Sequence, residues 1–297
     1  MVYNTRIMEE KKKLSAFDKR IHEIDFFRGI LILLVIIDHI FIFLGDYSAP
    51  DRWNVPWMYG FFHDFYSYGD LRSTIQPIVL MMFCFVSGIS CAFSRNNIKR
   101  GIQTICVAAF ITLYTHFMQW MVDIDVLSFL KGGSYIIDFN IIGVLGLSML
   151  IYGLIQKRSW KIILVVILVS FYISNYLMPS MRENFSNWFG YVDGARPGMW
   201  YKIPKVIIPF FWEPVYPGDH LTADYVPLFP FIIFFFVGAL VSYAVYMEKK
   251  QSIFKHKFNW ERPVCFLGRH TLLIYFGQIV VILGIFTLID TFVKMAR

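Results

Sequence analysis

Long apolar blocks alternate with short polar stretches along this chain, whereas an amphipathic soluble fold interleaves the two every three or four positions. Seven blocks stand out: approximately Phe26 to Leu44, Ile75 to Phe93, Ile102 to Met121, Tyr135 to Ile155, Trp160 to Met178, Val226 to Met247 and Thr271 to Ile289. A bilayer core about 30 Å thick takes roughly 20 helical residues and tolerates no unpaired backbone, so each block predicts a membrane-spanning helix. Ile203 to Trp212 is too short to span and carries Pro204 and Pro209. It predicts a re-entrant or interfacial piece, with an eighth span as the alternative. The expected fold class is all-α, a polytopic membrane helix bundle of seven to eight helices. Residues 1–25 are expected to form a cytoplasmic N-terminal segment, 26–293 the transmembrane domain and 294–297 a short tail. The first 25 residues are too polar for a secretory leader, so the first span is expected to be retained.

Composition agrees with this pattern: 57% of the chain is hydrophobic and only 16% charged. The net charge of +7 could point to nucleic acid. No basic stripe interleaved with aromatics is present, however, and a Lys/Arg excess on cytoplasmic loops explains the sign. In the seven-span arrangement, 19 of the 28 Lys and Arg fall on the side that holds the N-terminus. This predicts a multi-pass cell-membrane protein with its N-terminus in the cytoplasm. The outer segments, 45–74, 122–134 and 179–225, then include two long stretches rich in Trp, Tyr, Pro, Gly and Asp, which read as ordered loops over a cavity. Cys84, Cys91, Cys106 and Cys265 show no CxxC and no Cys/His ligand spacing, so they are expected to be small buried hydrophobes, with neither disulfides nor a metal.

An ionisable group inside a span costs roughly 2.5 to 3.5 kcal/mol on insertion scales, which makes each one a functional candidate. The first span holds Arg28, Asp38 and His39. Eleven steps of about 100° bring His39 to within about 20° of Arg28, so the two share one helix face about 16 Å apart along the axis. Asp38 projects some 100° away from His39. Arg28 alone also fits a snorkelling cation, and His39 alone an interhelical hydrogen-bonder. Towards the outer side the spans place His116 with Gln119, Asp138 with Asn140, and Asp224. Each of these singly fits a helix cap or interfacial group as well as a ligand contact. Towards the inner side lie Lys99, Arg100, Arg269 and His270. Basic groups there suit a phosphorylated donor, and His with carboxylates at the other end suits proton chemistry on an acceptor. Ser87, Gly88 and Ser90, and Gly143, Gly146 and Ser148, are spaced for tight helix crossings or a narrow tunnel.

Five stretches in order, RIHEIDFFRGILILLVIIDHIF, MMFCFVSGISCAFSR, IIGVLGLSMLIYGL, DYVPLFPFIIFFFVGALVS and LGRHTLLIYFGQ, resemble the bacterial family that shares the catalytic domain of heparan-alpha-glucosaminide N-acetyltransferase. The Arg28 and His39 spacing is also similar to the signature of the wider transmembrane acyltransferase superfamily, so the resemblance gives these two the signature roles. It implies a multi-pass enzyme that takes an acetyl group from cytoplasmic acyl-coenzyme A, as co-substrate, and delivers it to a sugar, glycan or glycolipid acceptor across the membrane. Two departures stand out. Family members often read a His soon after the last motif's IY, where this chain has Gly277 and Gln278. The sugar-amine enzyme's catalytic His lies in the loop after the first span, where His63 is the only histidine here and matches in spacing poorly.

The mechanism this suggests is acyl transfer along a tunnel. Arg28, Arg269 and Arg100, with His270 nearby, would hold coenzyme A phosphates. His39 would act as general base, oriented by Asp38 or Asp138, with His63 as a further catalytic candidate and His116, Gln119, Asn140 and Asp224 lining the acceptor side. An acyl-histidine intermediate is the variant route. A proton-coupled transporter or lipid or glycan flippase could use the same His, Asp and Arg, although no inverted repeat is visible. Membrane lipid surrounds either, nucleic acid is not expected as a partner, and a homo-oligomer stays open.

Overall fold

The computed structural model describes residues 21–67, 70–94, 96–124, 137, 139–177, 226, 228–246 and 260–296. These contain helices and no strand, so the fold is all-α. In chain order the α-helices are α1 (His22–Tyr47), α2 (Asp70–Ala92), α3 (Asn97–Asp123), α4 (Ile141–Ile155), α5 (Trp160–Tyr172), α6 (Leu228–Tyr246), α7 (Glu261–Arg269) and α8 (Thr271–Ala296). A helical turn, Pro56–Met58, leads into a π-helix at Tyr59–Ser67, and a second π-helix, Ile173–Leu177, extends α5. Among the described residues five helices are long and apolar enough to cross a membrane, and two shorter apolar ones, Ile141–Ile155 and Trp160–Tyr176, complete the seven expected blocks. In α3 only 11% of the apolar window is buried inside the protein. Side chains such as Leu113, Phe110 and Phe117 therefore face outward, an arrangement that lipid stabilises and water would not. Cys106, expected to be buried, is exposed on this helix, while Cys84, Cys91 and Cys265 are buried. An apolar thiol on a lipid-facing surface meets no water, so inward burial is not required of it.

The described residues divide into two compact units, one drawn from Met1–Val86 and Tyr246–Arg297 and the other from Ser87–Val245. In the first, α1 is the central element, with α7, α8 and the first π-helix packed along it. It starts four residues earlier than the apolar block because α7 covers its first turn. His22 and Glu23 are buried there, and His22 Nε2 lies 2.7 Å from Glu261 Oε2. Close approach of α7 depends on two glycines. A Cβ on Gly268 would stand 1.7 Å from the Asp25 carbonyl oxygen, and one on Gly29 would stand 2.0 Å from that of Val264. At the other end of α1, Tyr47 packs with Ile282 and Phe286 of α8, and the Trp53 ring stacks on Phe286 at 5.8 Å.

In the second unit the small residues carry helix crossings. The α3–α4 contact brings Gly101 and Gly146 together, where a Cβ on Gly101 would meet the Gly146 carbonyl oxygen at 2.9 Å. Gly88 admits the backbone of Phe235 from α6, whose oxygen would be 1.9 Å from an added Cβ. Gly88 and Gly146 thus serve packing, one of the two uses expected of them. Asn97, fully buried, bridges the α3 start to Cys91 O and to Gln156 Oε1, each at 2.7 Å.

Candidate functional site

Helix α1 is packed on two sides. Towards α7 and α8 it presents Asp25, Gly29, Ile36, Ile40, Phe43 and Tyr47, which share an arc of about 60° at 100° per residue. Towards the first π-helix it presents Asp38, Phe41 and Gly45: Tyr66 Oη donates to Asp38 Oδ1 at 2.7 Å, the Phe41 ring lies 5.0 Å from those of Phe62 and Tyr66, and Gly45 meets the His63 backbone. The π-helix thus runs antiparallel to the outer half of α1. Arg28 and His39 fall between these sides, roughly 80° from the middle of the first arc and roughly 115° from the second. Both are half-buried. One stripe therefore carries a guanidinium and an imidazole about 16 Å apart, flanked by packed faces.

Asp38 is committed. Arg72 Nε donates to its Oδ1 at 2.9 Å and Arg72 Nη2 to its Oδ2 at 3.4 Å, a fork-on-carboxylate geometry, while Tyr66 takes a further lone pair. Asp38 thereby joins α1, the π-helix and the first turn of α2. Burial, first, and then the hydrogen bond and charge of Asp38 push the Tyr66 phenol pKa well above its usual range, with the Arg72 charge opposing. Tyr66 therefore stays a donor throughout the physiological range. Arg72 and Tyr66 were not among the sequence candidates. The signal that could have found them is that a carboxylate inside a span requires a cation, and Arg52 and Arg72 are the only two in the segment 45–74.

His63 sits one turn from Tyr66 on the π-helix. Its ring stacks on Tyr59 with centroids 4.2 Å apart, its Nδ1 lies 2.8 Å from Asp64 Oδ1 and its Nε2 3.3 Å from Tyr59 Oη. Alongside α1 it stands at the level of Gly45, about 9 Å beyond that of His39. At the opposite end Arg269 Nε donates to Asp25 Oδ2 at 3.0 Å, one turn from Arg28 on α1. Exposed His270 donates from Nδ1 to the Phe266 carbonyl at 2.9 Å, which leaves Nε2 as the basic nitrogen.

Four candidates lie in the second unit. Arg100 is in the first turn of α3, His116 is half-buried further along it, and Gln119 Nε2 donates to Asp123 Oδ1 at 2.9 Å and not to His116. Buried Asn140 caps α4, its Oδ1 taking the N–H of Ile142 and Gly143 at 3.1 and 3.2 Å. Asp138 and Asp224 lie outside the described residues.

The family model for the catalytic region of heparan-alpha-glucosaminide N-acetyltransferase matches residues 20–280. The chain belongs to this family. No curated protein and no solved structure matches it. The matched region includes every element of the α1 stripe, both partners of Asp38 and the Asp25–Arg269 pair. Membership of the heparan-alpha-glucosaminide N-acetyltransferase family together with several long apolar helices makes this a multi-pass membrane acetyltransferase.

Proposed function

We propose that this acetyltransferase takes its acetyl group from acyl-coenzyme A on the cytoplasmic side and delivers it to a sugar amine or hydroxyl on the other side, with His39 as general base. The observation that carries the reading is the stripe of α1 that holds half-buried Arg28 and His39 about 16 Å apart, between the face packed on α7 and α8 and the face packed on the first π-helix. In this reading the Arg28 end faces the cytoplasm. Arg28, with Arg269 fixed beside it by Asp25, binds phosphate through guanidinium forks. The pantetheine arm then runs along the stripe, whose length of about 16 Å separates the cation from the imidazole.

At His39 the imidazole takes the proton of the acceptor amine or hydroxyl as its lone pair attacks the thioester carbon. The carbon–sulfur bond breaks, coenzyme A leaves as thiolate, and the imidazolium returns the proton to that sulfur. The products are acetylated acceptor and free thiol, and the imidazole is restored. Asp38 serves this indirectly: tied to Arg72 and Tyr66, it anchors the π-helix beside the reacting end. His63, already ordered by Asp64 and Tyr59, lies on the acceptor side of His39 and suits contact with the incoming sugar.

Proteoliposomes given acetyl-labelled coenzyme A on the face bearing the N-terminus, with a glucosamine-type acceptor inside, test the reading. It requires label on the acceptor and free thiol outside. Counterflow of an unmodified solute without thiol release would instead assign the intramembrane His and Arg to a carrier.

A further inference from the structure

Gln278 of α8 is a buried polar side chain of this unit whose two polar atoms the fold leaves unsatisfied. It is only 7% exposed, and neither its Nε2 nor its Oε1 has a hydrogen-bond partner among the described residues. An unsatisfied buried amide is costly, because each polar group has given up its water without a replacement partner. Gln278 lies on the face of α8 that packs against α1, one and two turns before Ile282 and Phe286, which form one apolar cluster with Tyr47 of α1. The two helices run in the same direction, because Arg269, just before α8, pairs with Asp25 near the start of α1, while Phe286 meets Phe43 and Tyr47 near its end. Gln278 is eight residues, about 12 Å, before Phe286. Its level along α1 therefore falls between those of Arg28 and His39.

We infer that Gln278 binds an amide of the pantetheine arm of acyl-coenzyme A and so sets the reach of the thioester to His39. The inference rests on the acyl-coenzyme A reading above. A carboxamide offers one acceptor and two donor protons, the complement of the C=O and N–H that a secondary amide presents. Pantetheine carries two such amides between its phosphate end and its sulfur, and Gln278 lies between the cation assigned to the phosphates and the imidazole assigned to the thioester. A lipid tail offers neither donor nor acceptor at that depth. The side chain is satisfied when the donor is bound.

The test is Gln278→Met, which keeps volume and removes both polar atoms. With acetyl-coenzyme A, KM is expected to rise about tenfold, the loss of one to two amide hydrogen bonds, with kcat little changed. With S-acetyl-2-mercaptoethanol, a thioester that has no amide, kcat/KM is expected to be the same in both proteins. The melting temperature without donor is expected to hold or rise, since an unsatisfied polar group has been removed. An unchanged KM for acetyl-coenzyme A in an active variant would overturn the assignment of Gln278 alone. So would an equal loss with both thioesters or a fall in melting temperature, since either marks a structural role. Wild-type protein that neither binds nor turns over acetyl-coenzyme A would overturn the donor reading and this inference with it.

Discussion

The Asp38–Arg72 pair offers the sharpest energetic test of the α1 environment. Its atoms approach to 2.9 and 3.4 Å, and the side chains are 27% exposed for Arg72 and 16% for Asp38. At about 3 Å and an effective dielectric of 20 the attraction is roughly 5 kcal/mol before desolvation. An exposed pair nets about 0.2–1 kcal/mol, whereas breaking a fully buried one costs roughly 3–5. This site lies between those limits and keeps the Tyr66 hydroxyl on Asp38 when Arg72 is lost, so Arg72→Ala should destabilise by about 2–3 kcal/mol. Asp38→Ala should cost a similar amount, and the double variant little more than either single one. A double-mutant cycle on detergent-solubilised protein, followed by denaturant unfolding, should return a coupling of about 2 kcal/mol. Purely additive single losses would refute the view that this ion pair pins the π-helix and α2 to α1.

Three further outcomes follow from the same geometry. Gly268→Ala should separate α7 from α1, because its Cβ would lie 1.7 Å from a backbone oxygen; thermal unfolding should show a loss of at least about 1–3 kcal/mol, whereas Gly284→Ala, with nothing within 4 Å, should be neutral or stabilising. Tyr66 has a folded pKa above its unfolded value of about 10, so its contribution is fully present below pH 10 and is lost as pH rises through the raised value; Tyr66→Phe should flatten the alkaline limb of a stability–pH profile and leave the neutral region level. Arg28→Ala should weaken acetyl-coenzyme A binding by about tenfold or more in calorimetry, the loss of a charge-assisted contact, and unchanged affinity would remove Arg28 from the donor site.

The helices were legible because a membrane span must be a long apolar run, and nothing else in a chain of this kind imitates one. Helix α7 was not. Its nine residues include Glu261, Arg262 and Arg269, and it is held by a glycine approach and ion pairs to α1 that only the folded chain brings together. The stripe of Arg28 and His39 was visible from spacing alone, since eleven residues nearly complete three helical turns. The partners of Asp38 were hidden because Tyr66 and Arg72 lie 28 and 34 residues away, in a stretch that reads as a polar loop. Asn140 shows the converse: a polar residue at the mouth of a span need be no more than the cap that its helix requires. Gln278 showed in the sequence only as a departure from a family motif; that its amide lacks a partner shows once burial is known, because one amide in an apolar run has no periodicity to mark it.

His39 is proposed to perform the proton transfer in acetyl transfer from coenzyme A. Single-turnover release of free thiol from acetyl-coenzyme A in the presence of a sugar acceptor, compared between wild type and His39→Ala at matched donor occupancy, tests it directly. Thiol release and labelled acceptor are expected to fall by about 100-fold or more while donor binding and the unfolding temperature are retained. Near-normal turnover in the variant would contradict it and move the chemistry to another residue.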